Sequence, residues 1–137
     1  MGTVYADVTL KNAIDVGDVQ RGHRTEREVR AVKVRALVDT GCGTLAINEQ
    51  IRDQLGLATE GLRGGTLADG TKKVYQMTEP VKIYWKNRDA VCRAIVVPGA
   101  DTVLLGAIPL EDMDLIVNPT RRELIGAHGD EVLCLLK

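Results

Sequence analysis

One stretch of the chain, Leu37-Val38-Asp39-Thr40-Gly41-Cys42-Gly43, sets a carboxylate, a hydroxyl and a thiol among two glycines at the end of an apolar run. An apolar strand that ends this way delivers an acid to a tight turn and leaves room for another molecule to approach it. A carboxylate acts as a general base on water only when its pKa suits the task. A single buried acid stays protonated. Two carboxylates that share one proton split their titration, so one stays ionised while the other donates. The ionised member polarises a water, the protonated member binds an amide carbonyl oxygen, and the pair passes a proton to the leaving amine. That chemistry uses no metal, no cofactor and no covalent intermediate.

Such a pair needs two acids brought together by the backbone, and the chain carries one turn of this kind. No other Asp is followed by Thr or Ser and then Gly. The second acid is therefore expected from a second copy of the chain, across a two-fold axis that sets Asp39 against Asp39. The Thr40 hydroxyl can lock the two turns together, and Gly41 lets backbone and substrate come close. The plainer reading of Asp39 is a turn-capping carboxylate.

Other chemistries find less support. Serine is absent, which excludes a serine nucleophile. His23 and His128 stand in expected loops without metal-ligand spacing. Glu111, Asp112 and Asp114 read as a solvated helix turn rather than a metal cluster. Cys42, Cys92 and Cys134 are odd in number and lack CxxC spacing, which argues against a disulfide framework or zinc site. Cys92 and Cys134 are expected in the core. The basic run from Arg21 to Arg27 is followed closely by Glu28, is broken by Glu26 and contains no aromatic platform, so a solvated loop is expected. With 18 basic and 19 acidic side chains the formal net charge is -1, which gives no pull toward nucleic acid or acidic lipid. The first residues lack a basic and apolar leader pattern, and no stretch is apolar enough to span a bilayer. A cytoplasmic setting is the default expectation.

The elements that must position Asp39 are short. Val4, Ala6, Val8 and Leu10 share a parity, which predicts a half-buried strand. Asn12 to Thr25 reads as a loop. Val32, Val34, Ala36 and Val38 alternate with Lys33 and Arg35 in the strand that leads to Asp39. Asn48 is a good N-cap, Ile47, Ile51 and Leu55 fall on one helical face, and Gly56 is a good stop. Arg63 to Met77 reads as a hairpin turning at Asp69-Gly70, where both positions tolerate positive φ. Val81 to Lys86 is expected as a separate strand, Asn87-Arg88-Asp89 as a turn, and Ala90 to Val97 as a further strand. Thr102 to Gly106 is a short apolar strand, and Ile108 to Met113 a short helix. Leu115 to Val117 reads as a buried strand, Arg122 to Ile125 as another. Val132 to Leu136, apolar on both parities, is a candidate for an intersubunit sheet.

The length suits one domain, residues 1–137. Hydrophobic residues make up 45% and charged residues 27%, but aromatics only 3%, so Val, Leu, Ile and Ala must fill the core. Many short strands with frequent turns and one or two short helices give an all-β class, a small barrel or sandwich.

Asp39-Thr40-Gly41 after its apolar strand resembles the active-site turn of retropepsin-like aspartic proteases. Further parts match in order. Ile47 to Leu57 resembles the segment after that turn in bacterial members. Leu67-Ala68-Asp69-Gly70-Thr71 resembles the flap hairpin that closes over substrate. Val103-Leu104-Leu105-Gly106 resembles the apolar-apolar-Gly stretch packed behind the turn, and Leu110 to Val117 the helix and strand after it. The resemblance runs from about Val32 to Leu124. It implies a small closed barrel of retropepsin type and an aspartic endopeptidase that works as a homodimer on a peptide or protein substrate. It implies Asp39, Thr40 and Gly41 as catalytic, Cys42, Gly43, Ala68, Asp69 and Gly70 as substrate-binding, and Leu104, Leu105 and Gly106 as structural support.

The chain departs from the retroviral pattern at three places. An acid usually found two residues after the catalytic glycine is replaced by Gly43. The arginine expected after the later Leu-Gly is Ala107, so the ion pair that braces those dimers is missing. Cys42 stands where Ser or Ala is common, and a thiol is a weak donor to an ionised dyad. A retropepsin-fold module that dimerises or binds peptide without cutting it is the alternative function.

Overall fold

The computed structural model describes residues 3–133. Its strands are β1 (Tyr5–Asn12), β2 (Ala31–Val38), β3 (Leu45–Ile47), β4 (Thr59–Thr66), β5 (Lys72–Trp85), β6 (Arg88–Val96), β7 (Leu104–Leu105), β8 (Leu115–Asn118) and β9 (Glu123–Gly126). The helices are α1 (Ala13–Gln20), α2 (Glu49–Gln54) and α3 (Ala107–Asp112).

The main sheet runs β1-β2-β7-β3-β6-β5-β4, and β1 also pairs with β5. That extra pairing closes the strands from β1 round to β5 into a ring, and β4 stands outside it on the free half of β5. The class is mostly β, as the strand pattern predicts. The alternating parity of β1 becomes its buried face, with Val4, Ala6, Val8 and Leu10 all in the core. Across the antiparallel β1–β2 pair, Ala6 meets Ala36, Val8 meets Val34 and Leu10 meets Val32. Leu45, Ile47, Leu55, Ile83, Leu105 and Met113 are fully enclosed within the ring. Each such side chain contributes about 1.5–3 kcal/mol by leaving water.

Three expectations are corrected. The segment read as a loop after Asn12 contains α1. Asn12 Oδ1 accepts from the backbone of Ile14 (3.0 Å) and Asp15 (3.1 Å), and its Nδ2 donates to the Leu55 carbonyl (2.9 Å). The cap starts a helix whose weak apolar periodicity and Gly17 hid it. Second, the Val81 strand is not separate. β5 is one strand of 14 residues, with a register shift between Met77 and Pro80 where proline brings no N–H. The Thr78 hydroxyl replaces part of the ladder there, accepting from Ala94 N (3.1 Å) and donating to Glu79 O (2.7 Å). Third, Arg88 is not a turn residue. It is buried at the start of β6 and donates to the carbonyls of Met113 (2.8 Å), Asp114 (2.7 Å), Gly129 and Glu131 (3.3 Å). It thereby ties the end of α3 to the turn after β9.

In the last part, β8 and β9 form a separate two-stranded sheet. Ile116 in β8 is half exposed, so that strand is buried on one side only. Val132 and Leu133 are also half exposed and lie outside any strand. The rest of the expected intersubunit segment, and Cys134, lie outside the described residues. His128 is not isolated: its Nδ1 lies 2.7 Å from Asp114 Oδ2.

Asp15 is almost wholly buried and holds the entry to β2. Its carboxylate accepts from Arg30 N (3.0 Å), Nε (2.9 Å) and Nη2 (2.9 Å), with Arg24 Nε at 3.7 Å. The hydrogen-bonded Arg30 guanidinium outweighs burial and keeps the Asp15 carboxyl below the usual carboxylate range. A depressed folded-state pKa gives stability that is complete above the ordinary carboxylate pKa and lost as pH falls through the depressed value. Asp15→Asn should therefore lose about 1–3 kcal/mol at pH 7, discounted because Arg30 is half exposed. Urea unfolding midpoints of variant and parent should keep their gap above about pH 4 and approach one another only as pH falls below it, through the depressed value; a constant gap down to pH 2 would count against the ion pair as the cause.

Candidate active site

β2 carries Asp39 to the place where three strands meet. β7 lies between β2 and β3, parallel to the first (Leu37 with Leu104, Val38 with Leu105) and antiparallel to the second (Leu45 with Leu105, Ala46 with Leu104). Asp39 N donates to Leu105 O (3.0 Å), which fixes the start of the turn, and Cys42 N closes it on Asp39 O (3.0 Å). Gly41 N donates to Asp39 Oδ1 (2.9 Å). One carboxylate oxygen is thus oriented by the turn itself. Asp39 is half-buried, and Thr40 is exposed.

The far end of the turn is held by main chain. Ala107 N donates to Cys42 O (2.8 Å) and Ile108 N to Gly43 O (3.1 Å). These are free donors of the first turn of α3, so the helix start and the Asp39 turn satisfy each other. At the two positions where the retroviral pattern has an acid and an arginine, this chain uses two backbone hydrogen bonds. Gly106 makes the approach possible. A Cβ there would lie 2.1 Å from Thr44 O and 2.3 Å from Cys42 O.

The Cys42 thiol donates to Thr44 O (3.2 Å), not to the Asp39 carboxylate. Burial pushes its pKa up, and the Asp39 charge adds to this against the partial relief from the Thr44 contact. The thiol is therefore protonated at neutral pH. Cys92 is packed against the core, and burial pushes its thiol up as well.

The hairpin of β4 and β5 faces the turn across a cleft. Its connection is a five-residue loop, Leu67 to Thr71, rather than a two-residue turn at Asp69-Gly70. Gly70 alone adopts a positive φ, 86°. Asp69 acts through its side chain, accepting from Thr71 N (2.8 Å), and the contacts with Thr71 keep its carboxyl below the usual range. Leu67 N to Thr71 O (2.7 Å) and Gly70 N to Leu67 O (2.9 Å) complete the tip.

Between turn and hairpin lies a cleft of about 470 Å³. Gly41, Cys42, Gly43 and Thr44 form one wall, and the hairpin from Arg63 to Leu67 with Tyr75 forms the other. Ala46, Ile95, Val97, Leu104 and Ile108 supply an apolar floor. Of the candidate site residues, Gly41, Cys42, Gly43 and Leu104 line this cleft, and Asp39 and Thr40 stand just outside the lining, at the start of the turn. Leu105 and Gly106 lie behind the turn, and Ala68, Asp69 and Gly70 form the hairpin tip outside the lining. Arg63, Tyr75, Ile95, Val97 and Ile108 were not anticipated. Their parity along β4, β5 and β6 was readable, but not which face a hairpin folded over the turn would bring inward. A larger cavity of about 640 Å³ adjoins it through Ile108, lined also by Ile116, Val132, Leu133 and the acids Glu111, Asp112 and Asp114.

The family model described as "gag-polyprotein putative aspartyl protease" matches residues 25–119. The chain belongs to this family of retropepsin-like aspartic proteases. Among solved structures, a retropepsin-like aspartic protease from Rickettsia conorii is 17% identical, with a TM-score of 0.49 over 85% of this chain and 77% of that one. The simian foamy virus (mac) protease is 15% identical, with a TM-score of 0.44 over 57% of this chain and 80% of that one. No curated protein matches. Among the described residues no helix is long and apolar enough to cross a membrane.

Proposed function

We propose that the chain is an aspartic endopeptidase that acts as a homodimer, within a single domain. The observation that carries this reading is the Asp39-Thr40-Gly41 turn, clasped from behind by β7 and α3, with its Gly41 end on a cleft that the hairpin walls on the other side. In the dimer the two Asp39 carboxylates share one proton. The ionised one draws a proton from a water between them as it attacks the peptide carbonyl. The protonated one hydrogen-bonds the carbonyl oxygen as charge builds there, and the pair then protonates the leaving amine. The Gly41 N–H fixes the inner oxygen of each carboxylate, which leaves the outer oxygen for water or substrate.

Asp39, Thr40 and Gly41 are the catalytic turn in this reading. Cys42, Gly43 and the hairpin, with Ala68, Asp69 and Gly70 at its tip, hold the peptide. The exposed Thr40 faces the partner, and the half-exposed Ile108, Ile116, Val132 and Leu133 beside the cleft are candidates for the rest of the dimer surface. The test is incubation with a peptide library beside Asp39→Asn, with sedimentation run in parallel. Cleavage by the parent alone, from a dimeric species, supports the peptidase. Binding of peptide by both without cleavage identifies a peptide-binding module instead.

A further inference from the structure

The cleft wall formed by the hairpin is cationic. Directly paired residues of antiparallel strands project from the same face of a sheet. Arg63 pairs with Tyr75, and Gly65 with Lys73. Arg63, Gly65 and Tyr75 line the cleft, which places Lys73 on that same face. The opposite face carries Leu62 and Val74, 70% and 68% exposed.

Arg63 is the one charged side chain lining this cleft, and among the described residues it makes no ion pair. The nearby acids are engaged elsewhere. Glu60 bonds Arg93 (3.0 Å), and Asp69 bonds its own turn at Thr71. Nor is the guanidinium stacked on the Tyr75 ring, although other cations in the chain lie over rings, such as Arg35 on Tyr5 (4.7 Å). The cleft thus combines an apolar floor with a free guanidinium at its edge. A guanidinium pairs best with a carboxylate, through two parallel hydrogen bonds.

We infer that Arg63 is a specificity-determining residue that selects substrates with an Asp or Glu side chain close to the apolar residue seated in the cleft. Lys73 adds to the field on the same face but does not reach the lining. The inference rests on the peptidase reading for its effect on turnover, and on the cleft alone for its effect on binding.

The test uses positional peptide sets in which each site around an apolar core carries Glu, Gln or Lys. At one position the parent should favour Glu over Gln by about five- to tenfold in kcat/KM. Raising the salt from 0.05 to 0.5 M should shrink that ratio. Arg63→Gln should abolish it, and Arg63→Glu should turn the preference toward Lys, with melting temperatures near that of the parent because the side chain is exposed. Cleavage with a Glu-to-Gln ratio near one, or the same ratio in Arg63→Gln, overturns the inference and leaves the peptidase intact. If nothing is cleaved, the peptidase reading fails, and the same sets are read by fluorescence anisotropy on Asp39→Asn. A Glu preference there that Arg63→Gln removes supports the inference; equal binding, or no binding of any peptide, overturns it.

Discussion

Asp39→Asn should lower kcat by about 10³- to 10⁴-fold, because an amide neither takes a proton from water nor shares one with its partner. The fold should be unaffected. Asn keeps an acceptor oxygen for the Gly41 N–H, which is the carboxylate's one described hydrogen bond, and the stability change should stay within about 0.5 kcal/mol. A mixing experiment makes the dimer part of the same prediction. If a tenth of the exchanging chains are parental, random pairing leaves about 1% of dimers with two Asp39 carboxylates. Activity should fall to about that level, whereas chains that act singly would retain about 10%. Peptide cleavage by the mixture, beside a thermal melt of the variant, reads both outcomes. Unchanged turnover in Asp39→Asn would remove the mechanism, and a tenth of the activity in the mixture would remove the shared site.

Gly106→Ala should cost about 3 kcal/mol or more, and lower the melting temperature by about 10 °C. The reason is steric rather than conformational. Gly106 has φ −93°, which alanine adopts readily. But its Cβ would enter the space of the Thr44 and Cys42 carbonyls at 2.1 and 2.3 Å. Both are backbone atoms at the end of the Asp39 turn, and neither can swing aside as a side chain would. Relief requires β7 or α3 to move off the turn, which breaks the hydrogen bonds from Ala107 and Ile108 and displaces Asp39. Any fraction that folds should therefore also lose kcat/KM. Gly43→Ala is the control, since a Cβ there meets nothing within 4 Å, and it should melt within about 2 °C of the parent. Equal melting of Gly106→Ala and parent would mean that the clasp is not tight.

These two positions differ in how legible they were. Asp39 stood out because its chemistry and its local frame lie within a few residues: an apolar strand, an acid, a hydroxyl and a glycine. The same holds for β1 and β2, whose parity is a property of neighbours, and for α2, where Asn48 accepts from Ile51 N (2.9 Å) and Gly56 turns at φ 62° as the cap signals require. From local pattern Gly106 reads only as a strand stop, and it was the resemblance that set it behind the turn. The need for glycine comes from carbonyls some sixty positions away in sequence, and no local pattern records that.

α1 was hidden for a related reason. Its start depends on Asn12, which bonds both the helix and Leu55, and its buried Asp15 is tolerated because Arg30 meets it. A buried acid reads as a loop residue until its partner is known. Arg88 is the mirror case, a cation read as turn surface that the tertiary fold encloses among carbonyls.

By itself the sequence determined a mostly β chain with one catalytic-type turn, and so the expectation that a second copy supplies the other acid. Those are consequences of local spacing and of residue types that occur or are missing. The tertiary structure decided how the turn is clasped, by main chain from α3 where an ion pair was the alternative. It also decided that the hairpin brings Arg63, rather than Ala68, Asp69 and Gly70 at its tip, to the cleft. Both follow from contacts between segments distant in the chain, where the closeness of two backbones or the facing of a sheet is set by the closed ring of strands and not by any one stretch.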